Sequence, residues 1–315
     1  MANDTTMTVT PLAAGAAAAS TTGGFVLPSN FDLCQNACLI RVTVSAWSAR
    51  EKSPEAGRNA AQAGGADEDY VDSYIRHVAK DHPLKKAVDQ KANEVRNWIK
   101  DNLSFWNTGV RLCTNLQYDS VMKELRKMKA EFMQTVDDFF VGLPQMEAMA
   151  AVKQGKYSGK FPTKSVLEER FAFEIEVSAI ADPNDIRLKH VSASVAKEIE
   201  ECTRSSQAKQ VTEVMTRLAT KVEATIQNFI GQMGKPKQGY HKTAVENVLE
   251  LAELIPQLNL TADPEINAIA RKIGESFADV SVQELKEDPE LREEVTKEAT
   301  SLLERIEKMK PTGKI

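Results

Sequence analysis

From Gln117 to Ala150 the chain reads QYDSVMKELRKMKAEFMQTVDDFFVGLPQMEAMA, with Val121, Leu125, Met128, Phe132, Val136, Phe139, Leu143, Met146 and Ala150 at steps of four and three. That spacing puts one apolar stripe on a long helix, and such a stripe needs a covering partner. Pro144 lacks the amide a helix interior needs, so the helix bends or ends near Leu143. A second seam lies between Ala193 and Met233. It opens with Val195, Ile199 and Cys202, lapses over Thr203–Gln210, and resumes with Val211, Met215, Leu218, Val222, Ile226, Phe229 and Met233. The two seams match in period and length, so they are expected to pair as a long antiparallel helical hairpin, with a stutter or an exposed middle at the lapse.

Around the seams the chain has sheet signals. Ile40, Val42 and Val44 alternate with Arg41, Thr43 and Ser45, and Phe171–Ile180 (FAFEIEVSAI) alternates over a longer run. A turn at Asn107-Thr108-Gly109 precedes a short strand candidate at Val110–Cys113. Asp182-Pro183-Asn184-Asp185 is another turn, with Ile186–Leu188 as a continuation of the sheet. A helix is expected over Leu84–Leu103 as a natural partner for the central seam, and a short one around Ser165–Phe171. Ala49–Glu68 is Gly- and Ala-rich with little to bury, and reads as a mobile loop. Asp263-Pro264-Glu265 and Asp288-Pro289-Glu290 carry a cap, a first-turn proline and an acid against the dipole, and so start helices.

The predicted class is α+β, predominantly α: a heptad-patterned hairpin, a small β-sheet and a C-terminal helical appendage. Residues 1–30 read as a disordered tail, because no Lys or Arg precedes the alanine run and Pro11 and Gly15 interrupt it. Residues 31–242 form the hairpin and sheet, and 243–315 an acidic helical region with 16 acidic against 9 basic residues from Ala244 on. The net charge of -5 gives no global attraction to polyanions, and no run reaches membrane-span length. Cys34, Cys38, Cys113 and Cys202 lack zinc-site spacing and read as buried thiols of a reducing, cytoplasmic protein.

Little in the sequence points to catalysis. Glu174 and Glu176 form the polar face of a strand, and no lysine stands two residues after either. His77, His82, His190 and His241 show no H-x-x-x-H pairing, and no P-loop, G-x-G-x-x-G or G-x-S-x-G is present. No cofactor or metal is implied. Two basic loops with interleaved aromatics carry the functional signal. Lys153, Lys156, Tyr157, Lys160 and Lys164 make one, and Lys235, Lys237, Tyr240 and Lys242 the other. Lysines of this kind neutralise phosphates and the rings stack on bases; as connectors between helices they need do neither.

Leu39–Arg50, Phe105–Phe140 and Phe161–Leu188 together give a strand-Trp, a W-x-x-G-x-R-L element (Trp106, Gly109, Arg111, Leu112), a long helix and an F-x-F strand. In this the chain resembles a domain-of-unknown-function family carried by tailed bacteriophages and prophages, over roughly residues 31–258. The resemblance implies a phage-encoded protein of the bacterial cytoplasm and supplies no catalytic residues. Relatives encoded near MoxR-type ATPases and von Willebrand A proteins imply an AAA+ ATPase neighbour as partner.

Three functions are consistent with the sequence. A non-enzymatic interaction protein would use the seams (Val121, Leu125, Met128, Phe132, Val136, Phe139; Val211, Met215, Leu218, Val222, Ile226, Phe229) on protein partners or on itself. A nucleic-acid-binding accessory protein would use the basic loops. A helical pore-former would need a long apolar tip, and FAFEIEVSAI is short and carries two glutamates.

Overall fold

The computed structural model describes residues 21–22, 25–26, 32–157, 161–183, 192–234, 243–261, 263–278 and 280–309. Its centre is a four-stranded sheet in the order β6-β7-β3-β8, antiparallel throughout. The central strand β3 spans Ala37–Ser45, β6 Ser104–Asn107, β7 Val110–Thr114 and β8 Ala172–Ala179. The expected turn joins β6 to β7, with Gly109 in the left-handed region at φ 79°. Two small ribbons accompany the sheet. One pairs β1 (Thr21–Thr22) with β2 (Phe25–Val26), the other β4 (Arg50–Lys52) with β5 (Tyr74–Arg76). The short helix α1 (Leu33–Asn36) leads into β3.

The pleat divides the core in two. Cys38, Ile40, Val42, Val44, Cys113, Phe173 and Ile175 face one side, and Ala37, Leu39 and Leu112 the other. The register agrees, since Leu39 stands opposite Leu112, Cys38 opposite Cys113 and Val42 opposite Ile175. On the first side lie α3 (Pro83–Asn102) and α4 (Tyr118–Val141), packed on each other and on the sheet. Pro144 does end the seam helix: α4 stops at Val141 and α5 (Leu143–Lys153) begins with the proline in its first turn. Gly142 sits at the break, where an added Cβ would meet Leu84 Cδ1 and require that side chain to move. The short helix α6 (Lys164–Glu168) precedes β8.

On the second side lies α7 (Ala193–Met233), a single helix. Its buried residues begin at Val211. None of residues 193–206 is buried, and Val195 is 43% exposed. The inner half is covered by α8 (Thr243–Leu258) and α11 (Pro289–Met309), with α9 (Pro264–Phe277) against α8 and α11 and the short α10 (Val282–Glu287) between. Capping follows the sequence signatures. Asp263 accepts from Glu265 N (2.8 Å), Asp288 accepts from Glu290 N (2.8 Å), and Ser281 with Glu284 forms a full capping box at α10.

The α+β, predominantly α class and the C-terminal helices are as the sequence reads. Three expectations need correction. The two seams do not cover each other, because Val121, Leu125, Phe132, Val136 and Phe139 (with Met128 packed against them) lie in the core with α3. Val211, Met215, Leu218, Val222, Ile226 and Phe229 lie instead in the core with the C-terminal helices. Two stripes of one period fit many partners, and each takes one that the sheet holds close. The antiparallel hairpin on this side is α7–α8: Gln232 and Ala244 share one hollow, Leu218 and Ile255 another. Second, Ala49–Glu68 is ordered into β4 and α2 (Pro54–Gly64), with Ser53 as N-cap and Pro54 at the first turn. Gly57 lets α2 approach Val71, whose carbonyl oxygen would lie 3.0 Å from an added Cβ. Third, only Cys113 of the thiols is buried, and Cys202 is exposed. Ile186–Leu188 lies outside the described residues.

Candidate functional site, a basic hollow beside a two-stranded ribbon

The ribbon β4–β5 sets the site. Its register places Arg50 directly opposite Arg76. Like charges facing across an antiparallel pair repel, and a ribbon this short has little pairing to offset that. Ala49, just before Arg50, is the one non-glycine residue with positive φ (55°) among the described residues, and it is buried. Left-handed backbone costs an L-residue roughly 1–2 kcal/mol. Its carbonyl accepts the backbone N–H of His77 at 2.9 Å, which fixes the strained turn against the segment after β5. A repulsive pair and a strained residue thus adjoin at one spot, and strain held in this way marks functional sites.

The two arginines open onto a hollow of about 310 Å³ whose other walls are Ser48, Lys80 and the flank of α3. Five cations line it, Arg50, Arg76, Lys80, Lys85 and Arg96, against one carboxylate, Asp89. Asp89 is committed: both its oxygens accept from the buried Lys85 ammonium at 2.5 Å. Arg96 is held by neutral acceptors, the Val44 carbonyl at 2.8 Å and Asn93 Oδ1 at 3.0 Å. Among the described residues no carboxylate lies in ion-pair range of Arg50, Arg76, Lys80 or Arg96. Four exposed cations therefore surround one concavity in a chain of net charge -5.

A second hollow of about 140 Å³ adjoins the first through Arg76, Val78 and Ala79, and is lined also by His77, His82 and Lys153. His77 is buried and stacks on Trp47 at 5.8 Å, with the Phe161 ring edge-on to both. Its Nε2 lies 2.8 Å from Glu51 Oε2, while Nδ1 of His77 and of His82 are buried with no hydrogen-bond partner among the described residues. Trp47 in turn meets Phe139 of α4 edge-on at 6.3 Å, so the aromatic layer links the segment after β5 to α4.

Of the residues singled out in the sequence, Lys153 joins this site, exposed at the end of α5. Tyr157 does not: its hydroxyl accepts from Asn59 of α2 at 3.0 Å. Lys164 pairs with Glu168 at 3.7 Å and lies 5.5 Å over the Phe140 ring. Lys156 shares the turn Gly155–Tyr157. Lys160, Lys235, Lys237, Tyr240 and Lys242 lie outside the described residues. Glu174 and Glu176 are exposed on β8, and Glu176 pairs with Arg41 at 3.6 Å. Sequence reading missed Arg50 because it falls in Ala49–Glu68, a stretch read as loop, and Arg76 and Lys80 because nothing in their spacing singles them out. Ser53-Pro54-Glu55 was the available signal, a cap, proline and acid like those that start α9 and α11.

Two other concavities differ in chemistry. A hollow of about 630 Å³ between α3, α7 and α8 is lined by amides and by Asp101, Glu250 and Glu253, with Lys221 donating to the Asp101 carbonyl. Burial pushes the Lys221 ammonium below its ordinary pKa. A groove of about 600 Å³ along α4 and α6 is mixed, with Met133, Val136, Phe140, Val141 and Phe171 in its walls beside Asp137, Lys164 and Glu168. No group of three or more metal-ligating side chains is found among the described residues, and no helix there is long and apolar enough to cross a membrane.

No family model matches the chain, and no curated protein or solved structure matches it either.

Proposed function

We propose that this protein is a non-enzymatic accessory protein that binds nucleic acid through the basic hollow at β4–β5. The observation that carries the reading is the face-to-face pair Arg50 and Arg76, ringed by Lys80 and Arg96 and lacking a carboxylate partner among the described residues. An anion between the two guanidiniums turns repulsion into two charge-assisted hydrogen-bonded contacts. Phosphate is the anion whose geometry suits paired guanidinium forks. Lys153 extends the same surface into the adjoining hollow, so part of the loop signal in the sequence belongs to this reading.

The test is fluorescence anisotropy with labelled single- and double-stranded DNA at low and high salt. Binding should weaken steeply with salt, each phosphate contact contributing about 0.7 to the logarithmic slope on single strands. The double variant Arg50→Glu, Arg76→Glu should abolish binding, and Lys164→Glu, already in an ion pair, should leave it near wild type. Lack of binding at low salt would sink the proposal.

One observation favours a second reading, docking of a protein partner on the groove of α4 and α6. Val141 is 82% exposed there, beside Met133 and Phe140. Light scattering after size exclusion separates the two: Val141→Asp would disperse a self-association and leave DNA binding unchanged.

A further inference from the structure

We infer that the hollow takes a phosphate monoester at the end of a nucleic-acid strand, in preference to the diesters along it; this rests on the nucleic-acid reading above. Three observations point there. The cations converge from three segments, Arg50 after β3, Arg76 and Lys80 around the end of β5, and Arg96 on α3, onto one concavity of about 310 Å³. A binder that tracks a backbone instead spreads its cations along a groove, about one per phosphate.

The charge also fits. Once Lys85 is assigned to Asp89, four cations remain without a carboxylate: Arg50, Arg76 and Lys80, with Arg96 held in place by the Val44 carbonyl and Asn93. A monoester carries close to two negative charges near neutral pH and three terminal oxygens. It can therefore accept from both opposed guanidiniums and still reach Lys80. A diester has one charge and two free oxygens, so it would leave part of the cationic ring unmatched.

The surroundings add the third argument. The whole chain is acidic, and carboxylates adjoin the ring residues along the chain: Glu51 follows Arg50 and Asp81 follows Lys80. A strand running past the hollow would meet these charges, whereas a strand ending in it leads away from them. Ala46, Val78 and Ala79 supply the apolar part of the lining, against which the terminal sugar would rest.

The experiment uses the full chain and three labelled oligonucleotides of one sequence, bearing a 5′-phosphate, a 3′-phosphate or neither. A terminal phosphate at one end should tighten binding by about tenfold, what one added charge-assisted hydrogen bond supplies. Arg50→Ala with Arg76→Ala should erase that preference. Lys80→Ala, on the segment after β5, should reduce it without touching the ribbon, and guards against a ribbon that fails to form. Equal affinity for all three strands, lost in the double variant, would overturn the monoester and leave nucleic-acid binding standing. Absence of binding to any strand would remove both. Inorganic phosphate and a mononucleotide serve as competitors. Displacement of the strand by either, at a concentration equal to that of unlabelled phosphorylated strand, would assign the site to a free phosphate ester and overturn the strand end.

Discussion

The two faces of the central sheet are packed by different means. Against α3 and α4 the core is aromatic: Phe139 meets Trp47 at 6.3 Å, Phe140 at 5.9 Å and Phe171 at 5.5 Å, and Phe132 meets Phe173 at 6.0 Å. Against α7 and the C-terminal helices it is largely aliphatic, with one close ring pair, Phe229 and Phe277 at 5.0 Å. Rings meet in few favourable geometries, while Leu, Ile and Val repack with modest shifts. The aromatic side therefore fixes positions, and it lies under the ribbon that carries Arg50 and Arg76. The aliphatic side serves to hold a long helix in place. The candidate site stands over the core that tolerates least rearrangement.

Phe139→Ala is the strongest way to break this contrast. The ring is fully buried and touches three others, so its loss should cost about 3–5 kcal/mol in denaturant melts. It should also weaken DNA binding by loosening the ribbon. Ile273→Ala, equally buried on the aliphatic side, should cost about 2–5 kcal/mol and sit toward the lower end, because neighbours collapse into the space. Its DNA binding should stay intact. If Ile273→Ala were the more damaging for stability or for binding, the proposed division between the two cores would fail. Ser281→Ala should be mildest, at about 1 kcal/mol for loss of the N-cap, with faster amide exchange limited to α10 and the start of α11. The backbone N–H and hydroxyl of Ser281 hold the Glu284 carboxyl below its ordinary range. A depressed carboxylate stabilises above its unfolded pKa, about 4.3, and stops doing so as pH falls through the lowered folded value. Amide exchange measured at pH 3 and pH 6 should show α10 loosening at the acid end.

Much of the architecture was legible because it rests on local periodicity. Alternation at Ile40, Val42 and Val44 and at Phe173, Ile175 and Val177 located two strands, and Asp-Pro-Glu placed two helix starts. The pairing of the seams was not legible. An apolar seam position carries no label for its partner: Leu125 and Leu218 present the same chemistry at the same spacing, and only the sheet decides which helix each meets. The site was hidden for a related reason. Arg50 and Arg76 become neighbours through a three-residue ribbon whose own residues, such as Glu51 and Lys52, carry no strand signal. Lys153 was found because lysines cluster near it in sequence, whereas the arginines cluster only in space.

The outer turns of α7 have a consequence of their own. Residues 193–206 bury no side chain, and fourteen helical residues span roughly 21 Å. A peptide of that length would scarcely hold a helix in water, because nucleation is costly. Here the nucleus is supplied from Val211 onward, so the outer turns are templated from one end. Amide exchange should slow progressively from Ala193 toward Val211. A molecule gripping residues 193–206 would meet a helix already wound and would forgo most of the ordering cost of folding one. The influence also runs inward. Along a continuous helix, clamping the outer end removes a starting point from which the buried half unzips.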